Sequence, residues 1–213
     1  MNVKKSIQTL LLAMCAGFCV SIGCMVYLSV ESKVLGAFLF NLGLFAILLF
    51  QFNLYTGKVG YLLYNKPKYI LDVITIWIGN FCGVYLFSQL SLATRIGATI
   101  KEKSEKIAQV KLGDSNLSLF LLAVFCGLLM FIAVDSYKTY VEKKDTILCV
   151  IIILCIVVFI LAGFEHCIAN IFYFSITGTL SEGMLPLLIV TIGNGVGGNI
   201  IPMVKKINAK LEA

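Results

Sequence analysis

The chain has a single histidine, His166, inside the apolar stretch Gly163-Phe164-Glu165-His166-Cys167-Ile168-Ala169-Asn170. An imidazole can donate, accept or carry a proton near neutral pH, which suits a partner for a small polar solute. A helix-packing histidine with a satisfied ring fits the same place. Glu165 is its neighbour, and neighbours on a helix point about 100° apart. Glu165 is therefore expected off the path of His166, holding a broken backbone by hydrogen bonds. A second polar knot is Leu54-Tyr55-Thr56-Gly57. Thr56 offers a hydroxyl to an anion or a loose carbonyl, and Gly57 permits a turn. Free N–H groups at the start of a following half-helix favour anions. Phe159 lies two turns before His166 and shares its face on a helix. Its ring could narrow a passage, though lipid or helix contact accounts for it more simply. No nucleophile–base pair, metal cluster or cofactor motif accompanies these groups, so no enzyme, cofactor or metal is expected. Eight cysteines lie in apolar runs without a CxxC and read as soft packing residues.

The elements that must position these groups follow from composition. Of 213 residues, 60% are hydrophobic and 13% charged, and mean hydropathy is +0.98. That excludes a disordered or ordinary soluble chain and makes the bilayer the solvent. Six uncharged windows, at 6–30, 34–57, 73–94, 115–134, 146–164 and 183–204, each suffice to cross about 30 Å of hydrocarbon as a helix. The first is too long for a signal peptide and lacks a cleavage pattern. The second and fifth windows run on past one span, with polar groups in the middle. Such stretches suggest broken helices, tolerated only where they line a cavity or are buried in protein. With six spans both termini share a side, and eleven lysines fall there against six basic residues opposite. Both termini are therefore expected in the cytoplasm. The basic loop 95–111 reads mainly as a solvated helical face. The net charge of +6 serves topology, with no basic patch for nucleic acid.

The third window contains Gly79-Asn80-Phe81-Cys82-Gly83 and the sixth Gly193-Asn194-Gly195-Val196-Gly197. Both read GNxxG, 114 residues apart, and the same offset sets Thr56 against Asn170 and Phe52 against His166. Three spans per half force opposite orientations. The expectation is one all-α transmembrane domain, 1–213, made of inverted halves at about 1–105 and 115–213. The site then lies at the midplane between them.

GFEHCIAN at 163–170, LYTG at 54–57, GNFCG at 79–83 and TIGNGVGG at 191–198 resemble the formate/nitrite transporter family over all six spans. The resemblance implies an aquaporin-like fold and a homopentamer in the inner (plasma) membrane of a prokaryote. Each protomer then has its own pore for small monovalent weak-acid anions. It places Thr56 and His166 in a central chamber, and Leu54 and Tyr55 at one constriction. Phe40, Leu44 and Phe159 become apolar narrowings, with Asn170 and Asn194 beside the pore. Glu165, Gly57 and Asn80 take structural places near it, and Lys111 resembles a residue that draws anions in. The fourth span has Cys126-Gly127 where that pattern carries Asn, which removes a donor and opens space. Lys58 follows Thr56-Gly57 where the pattern has Asn, adding charge at the cytoplasmic mouth. Formate or nitrite passage linked to protons is the expected activity. A hydrosulfide channel and a neutral-solute pore for water or a polyol are the alternatives.

Overall fold

The computed structural model describes residues 3–144 and 146–212. Their helices are α1 (Val3–Ser29), α2 (Lys33–Leu49), α3 (Tyr55–Val59), α4 (Tyr69–Leu92), α5 (Gly97–Gly113), α6 (Asn116–Lys143), α7 (Ile147–Leu161), α8 (Cys167–Thr177) and α9 (Met184–Leu211). A 3-10 turn at Leu62–Tyr64 completes the regular structure among the described residues. α1, α4, α6 and α9 are each long and apolar enough to cross a bilayer. The second and fifth windows are each cut in two, α2 from α3 and α7 from α8.

The two cuts are built alike. Phe50 N–H donates to Ala46 O and Phe52 N–H to Ile47 O; Ala162 N–H donates to Val158 O and Phe164 N–H to Phe159 O. Between them Gln51 (φ 55°) and Gly163 (φ 71°) are left-handed, which turns the chain out of the helix while satisfying its last carbonyls. Gly163 adopts this shape freely; Gln51 does so at a cost of about 1–2 kcal/mol. Gly57, expected at the turn, lies inside α3, where a Cβ would stand 3.3 Å from Val134 Cγ2. It serves close packing against α6, and Gln51 makes the turn.

The matched pairs Ala46/Val158, Ile47/Phe159 and Gln51/Gly163 are each 112 residues apart, not 114. The reason is a longer connection in the second half. Tyr55 meets Asn80 across 25 residues, whereas Cys167 meets Asn194 across 27. The corrected register sets Leu54 opposite His166 and Ile168 opposite Thr56.

Small residues let the long helices touch backbone to backbone. A Cβ on Gly83 would fall on Met14 O, and one on Gly197 would fall on Val124 O. Gly17 and Gly127 likewise abut the carbonyls of Asn80 and Asn194. Gly127 therefore opens no space, because the Asn194 backbone fills it. Every residue of α8 from Cys167 to Ile176 is buried, as expected of a helix apolar on all sides. The loop 95–111 is largely α5, which buries Gly97, Ile100, Ser104 and Ala108 and packs against α8. Its Lys103 donates to Leu28 O at 2.8 Å, near the end of α1. The connection is thus a docked helix, and a boundary at residue 105 falls inside it. Outward faces stay apolar, with Leu42, Leu71, Leu154 and Ile192 all exposed. That is the surface of a chain solvated by lipid or by other apolar chains.

Candidate functional site

Two asparagines hold the broken backbones. Asn80 Oδ1 accepts from Tyr55 N–H at 2.8 Å, while its Nδ2 donates to Ala13 O and Asn53 O, both at 2.8 Å. Asn194 Oδ1 accepts from Cys167 N–H at 2.9 Å, while its Nδ2 donates to Ala123 O and Glu165 O, both at 2.8 Å. Each amide thus spans three elements and satisfies groups that a break in an apolar medium strands. Tyr55 N–H and Cys167 N–H, the first amides of the half-helices expected to face an anion, are thus occupied. Asn194, expected beside the pore, turns both ends of its amide onto backbone as Asn80 does.

His166 caps α8 with extended backbone, φ −109° and ψ 113°. Its Nδ1 accepts from Ala169 N–H at 3.2 Å, so that nitrogen carries no proton. The ring is then neutral, with Nε2–H donating to Thr56 Oγ1 at 2.9 Å. The Thr56 hydroxyl proton remains free for another acceptor. Thr56 and His166 are 1% and 4% exposed. Phe159 stacks on the imidazole, centroids 5.7 Å apart at 23°, and meets Phe40 edge-on at 6.1 Å. α7 ends before His166, so helical phase does not set the stacking; the turn at Gly163 does.

A cavity of about 400 Å³ lies at the Lys33 end of α2, lined by Phe40, Lys111, Phe159, Glu165, His166 and Asn170, among others. A second, of about 410 Å³, lies at the Leu48 end, lined by Leu44, Leu54, Gly57, Lys58 and Lys138, among others. Between them a void of about 10 Å³ touches Phe40, Leu44, Leu54, Phe159 and His166. The structure therefore brings His166, Leu54, Phe40, Leu44 and Phe159 to one narrow place between two openings, with Thr56 joined to it by its hydrogen bond to His166. Tyr55 goes elsewhere: its hydroxyl donates to Thr191 O at 2.9 Å, and it lines a separate groove with Trp77 and Asn199.

Lys111 Nζ reaches both carboxylate oxygens of Glu165, at 2.8 and 2.7 Å, and Asn170 Nδ2 donates to Glu165 Oε2 at 2.6 Å. The Lys111 and Glu165 side chains are 11% and 6% exposed. Backbone at 165 is not helical, so the expected 100° separation is lost and Glu165 lines the same cavity as His166. It binds side chains, while its own carbonyl takes Asn194. Sequence reasoning missed this pair because 54 residues separate its members; each is visible only as a lone charge beside an apolar run. Glu165→Ala leaves a shielded ammonium without its counter-ion, which typically costs about 3–5 kcal/mol. The variant is expected to lose most of its thermal stability in detergent, read by size exclusion after heating. Lys111→Met added to it should restore much of the loss. A Glu165→Ala protein as heat-resistant as wild type contradicts this role.

Apolar outer faces, broken helices clamped by buried asparagines and paired internal cavities define an all-helical, multi-pass membrane protein. The formate/nitrite transporter family model matches residues 2–206, and the chain belongs to that family. It is accordingly a transport protein and not an enzyme. It is 25% identical to formate channel FocA of Haemophilus influenzae over 212 residues, 88% of this chain and 69% of that protein. It is 25% identical to formate channel FocB of Escherichia coli over 190 residues, 79% of this chain and 66% of that protein. A solved pentameric formate channel with formate bound shares the fold at TM-score 0.82 and 23% identity, covering 99% of this chain and 100% of that one. An ion channel structure of the same family matches at TM-score 0.77 and 17% identity, covering 96% and 89%.

Proposed function

We propose that the chain forms a passage for small monovalent weak-acid anions, formate or nitrite first and hydrosulfide as the alternative. The observation that carries this reading is that His166, which lines the narrow point between the two cavities, is hydrogen-bonded to the buried Thr56 hydroxyl. A bare anion loses much solvation among Phe40, Leu44, Leu54 and Phe159, and the neutral acid loses far less. In this reading Thr56 donates its free hydroxyl proton to the anion while accepting from His166. A proton reaching the anion, from water or by way of His166, then carries it past the apolar side chains as the acid. Lys111 and Asn170 line the first cavity paired with Glu165, and their remaining N–H groups meet an arriving anion.

The six windows then cross the membrane in two oppositely oriented halves, as in aquaporin-like folds. The matched breaks and clamps support this. The solved relative described as pentameric favours five copies, each with its own passage. Lysine distribution puts both termini in the cytoplasm, in the plasma membrane of a prokaryote.

The test is stopped-flow flux in proteoliposomes with formate, nitrite, hydrosulfide and glycerol at acidic and neutral pH. Rapid anion flux that rises on acidification, with little glycerol flux, is the expected result, and the fastest anion names the substrate. Glycerol flux without anion flux sinks the anion reading. The apolar ring has its own test. Phe159→Ala removes a ring that packs on both Phe40 and His166, and it should raise glycerol permeation at least several-fold. Unchanged glycerol exclusion places the barrier elsewhere.

A further inference from the structure

The second cavity contains cations that the mechanism above does not use. Lys58 is half-buried and lines it. Its backbone is held at the end of α3, where its carbonyl accepts from Tyr61 N–H at 3.1 Å and Tyr69 Oη–H at 3.3 Å. The side chain therefore leaves a fixed point. Lys138, from α6, lines the same cavity with its ammonium over the Tyr61 ring, 3.3 Å from the centroid. Tyr61 also donates to Asp135 Oδ1 at 3.2 Å. Asp135 in turn faces Lys205 at 3.4 Å.

Lys58 and Lys138 take part in neither the Lys111–Glu165 nor the Lys205–Asp135 ion pair, and Asp135 acts on Lys138 only from beyond direct contact. Glu142 is the acidic residue lining this cavity, and it is exposed. The contrast with the first cavity is one of chemistry. There the buried lysine is neutralised by two oxygens of Glu165. Here Lys58 and Lys138 line a cavity shared with Leu44, Ile47 and Leu54, and neither is in direct contact with a carboxylate.

We propose that Lys58 and Lys138 form a binding site for a small monovalent carboxylate or other oxyanion, one that loads the passage from the second cavity. The site rests on the anion-passage reading for its role, though not for its chemistry. Lys58 supplies the direct contact. Lys138, fixed by the Tyr61 ring, raises the local potential. The contact is partly solvated, so its effect on affinity is modest and falls with ionic strength.

Two measurements test it. In proteoliposomes of uniform orientation, formate is supplied from each face in turn. Lys58→Gln should raise the half-saturating formate concentration about three- to fivefold from the Lys58 face alone. Lys58→Arg should stay near wild type, and half-molar inert salt should erase the difference. In purified protein, an amine-acylating reagent is titrated with and without formate, and lysine labelling is read by mass spectrometry. Formate should protect Lys58 well above the exposed Lys206. Absence of protection overturns the site whatever the flux. Protection without a one-sided shift, or an equal defect in Lys58→Arg, overturns its loading role. Protection in a wild-type protein that passes no anion keeps the site and overturns the passage reading instead.

Discussion

Asn194→Ala is expected to yield almost no folded protein. The substitution strands Cys167 N–H and Glu165 O at the break and takes the second bond from Ala123 O, which keeps its helical partner inside α6; all three are held at 2.8–2.9 Å by one amide. Asn194 is fully buried, so water does not readily replace it. Each stranded group costs about 1–3 kcal/mol, and the two together are a large part of the 5–15 kcal/mol that holds a typical domain folded. Asn80→Ala should fail in the same way, through Tyr55 N–H and Asn53 O, with the second bond to Ala13 O lost as well. Asn194→Asp keeps the acceptor and loses both donors, so it should rank between wild type and alanine. Fluorescence size exclusion from detergent extracts reads the outcome. An Asn194→Ala protein that elutes as a sharp peak and melts within a few degrees of wild type rules out the clamp as a principal source of stability.

The clamp also marks the limit of what the sequence discloses. GNxxG is visible in both halves, and its glycines announce close helix packing, because small residues have that use wherever backbones meet. The asparagine between them announces nothing, since its partners lie on other helices. The broken helices are legible as apolar windows that run too long, but the turn residue Gln51 is not. A left-handed glutamine is fixed by the hydrogen bonds around it rather than by its type. Register slipped by two residues because the extra length lies between break and motif, where no pattern constrains it. His166 and Thr56 were legible separately as polar groups in apolar surroundings. Their contact joins positions 110 residues apart and needs the packed fold. Glu165 and Phe159 were read with helical geometry across a segment that is not helical, so the first was turned away from the cavity. Its place in the motif groups Tyr55 with Leu54 and Thr56, yet adjacent residues on α3 face different helices and Tyr55 turns to Thr191.

Thr56→Val is expected to separate function from folding. Valine matches threonine in shape and β-branching, and it leaves α3 and its clamp through Tyr55 N–H untouched. What disappears is one oxygen, the acceptor for His166 Nε2–H and, in the proposed passage, the donor to the anion. Losing such a buried hydrogen-bonding group costs about 1–3 kcal/mol. If the proposed passage runs past His166, that is a fall in flux of about 5- to 150-fold. Thermal stability should drop far less than in Asn194→Ala, and Thr56→Ser should keep flux within a few-fold of wild type. His166→Asn supplies the control. Asparagine remains a good N-cap for α8 but falls short of Thr56, so substantial flux should survive if the ring's part is that of a neutral donor. Complete loss of flux in His166→Asn at every pH counts against the neutral role and favours a proton carried by the ring itself. The double variant decides whether the two residues act as one unit. If His166 serves mainly to orient the threonine hydroxyl, adding His166→Asn to Thr56→Val should cost little more than Thr56→Val alone, because residues sharing one hydrogen bond are not additive. Fully multiplicative losses place each side chain in independent contact with the solute.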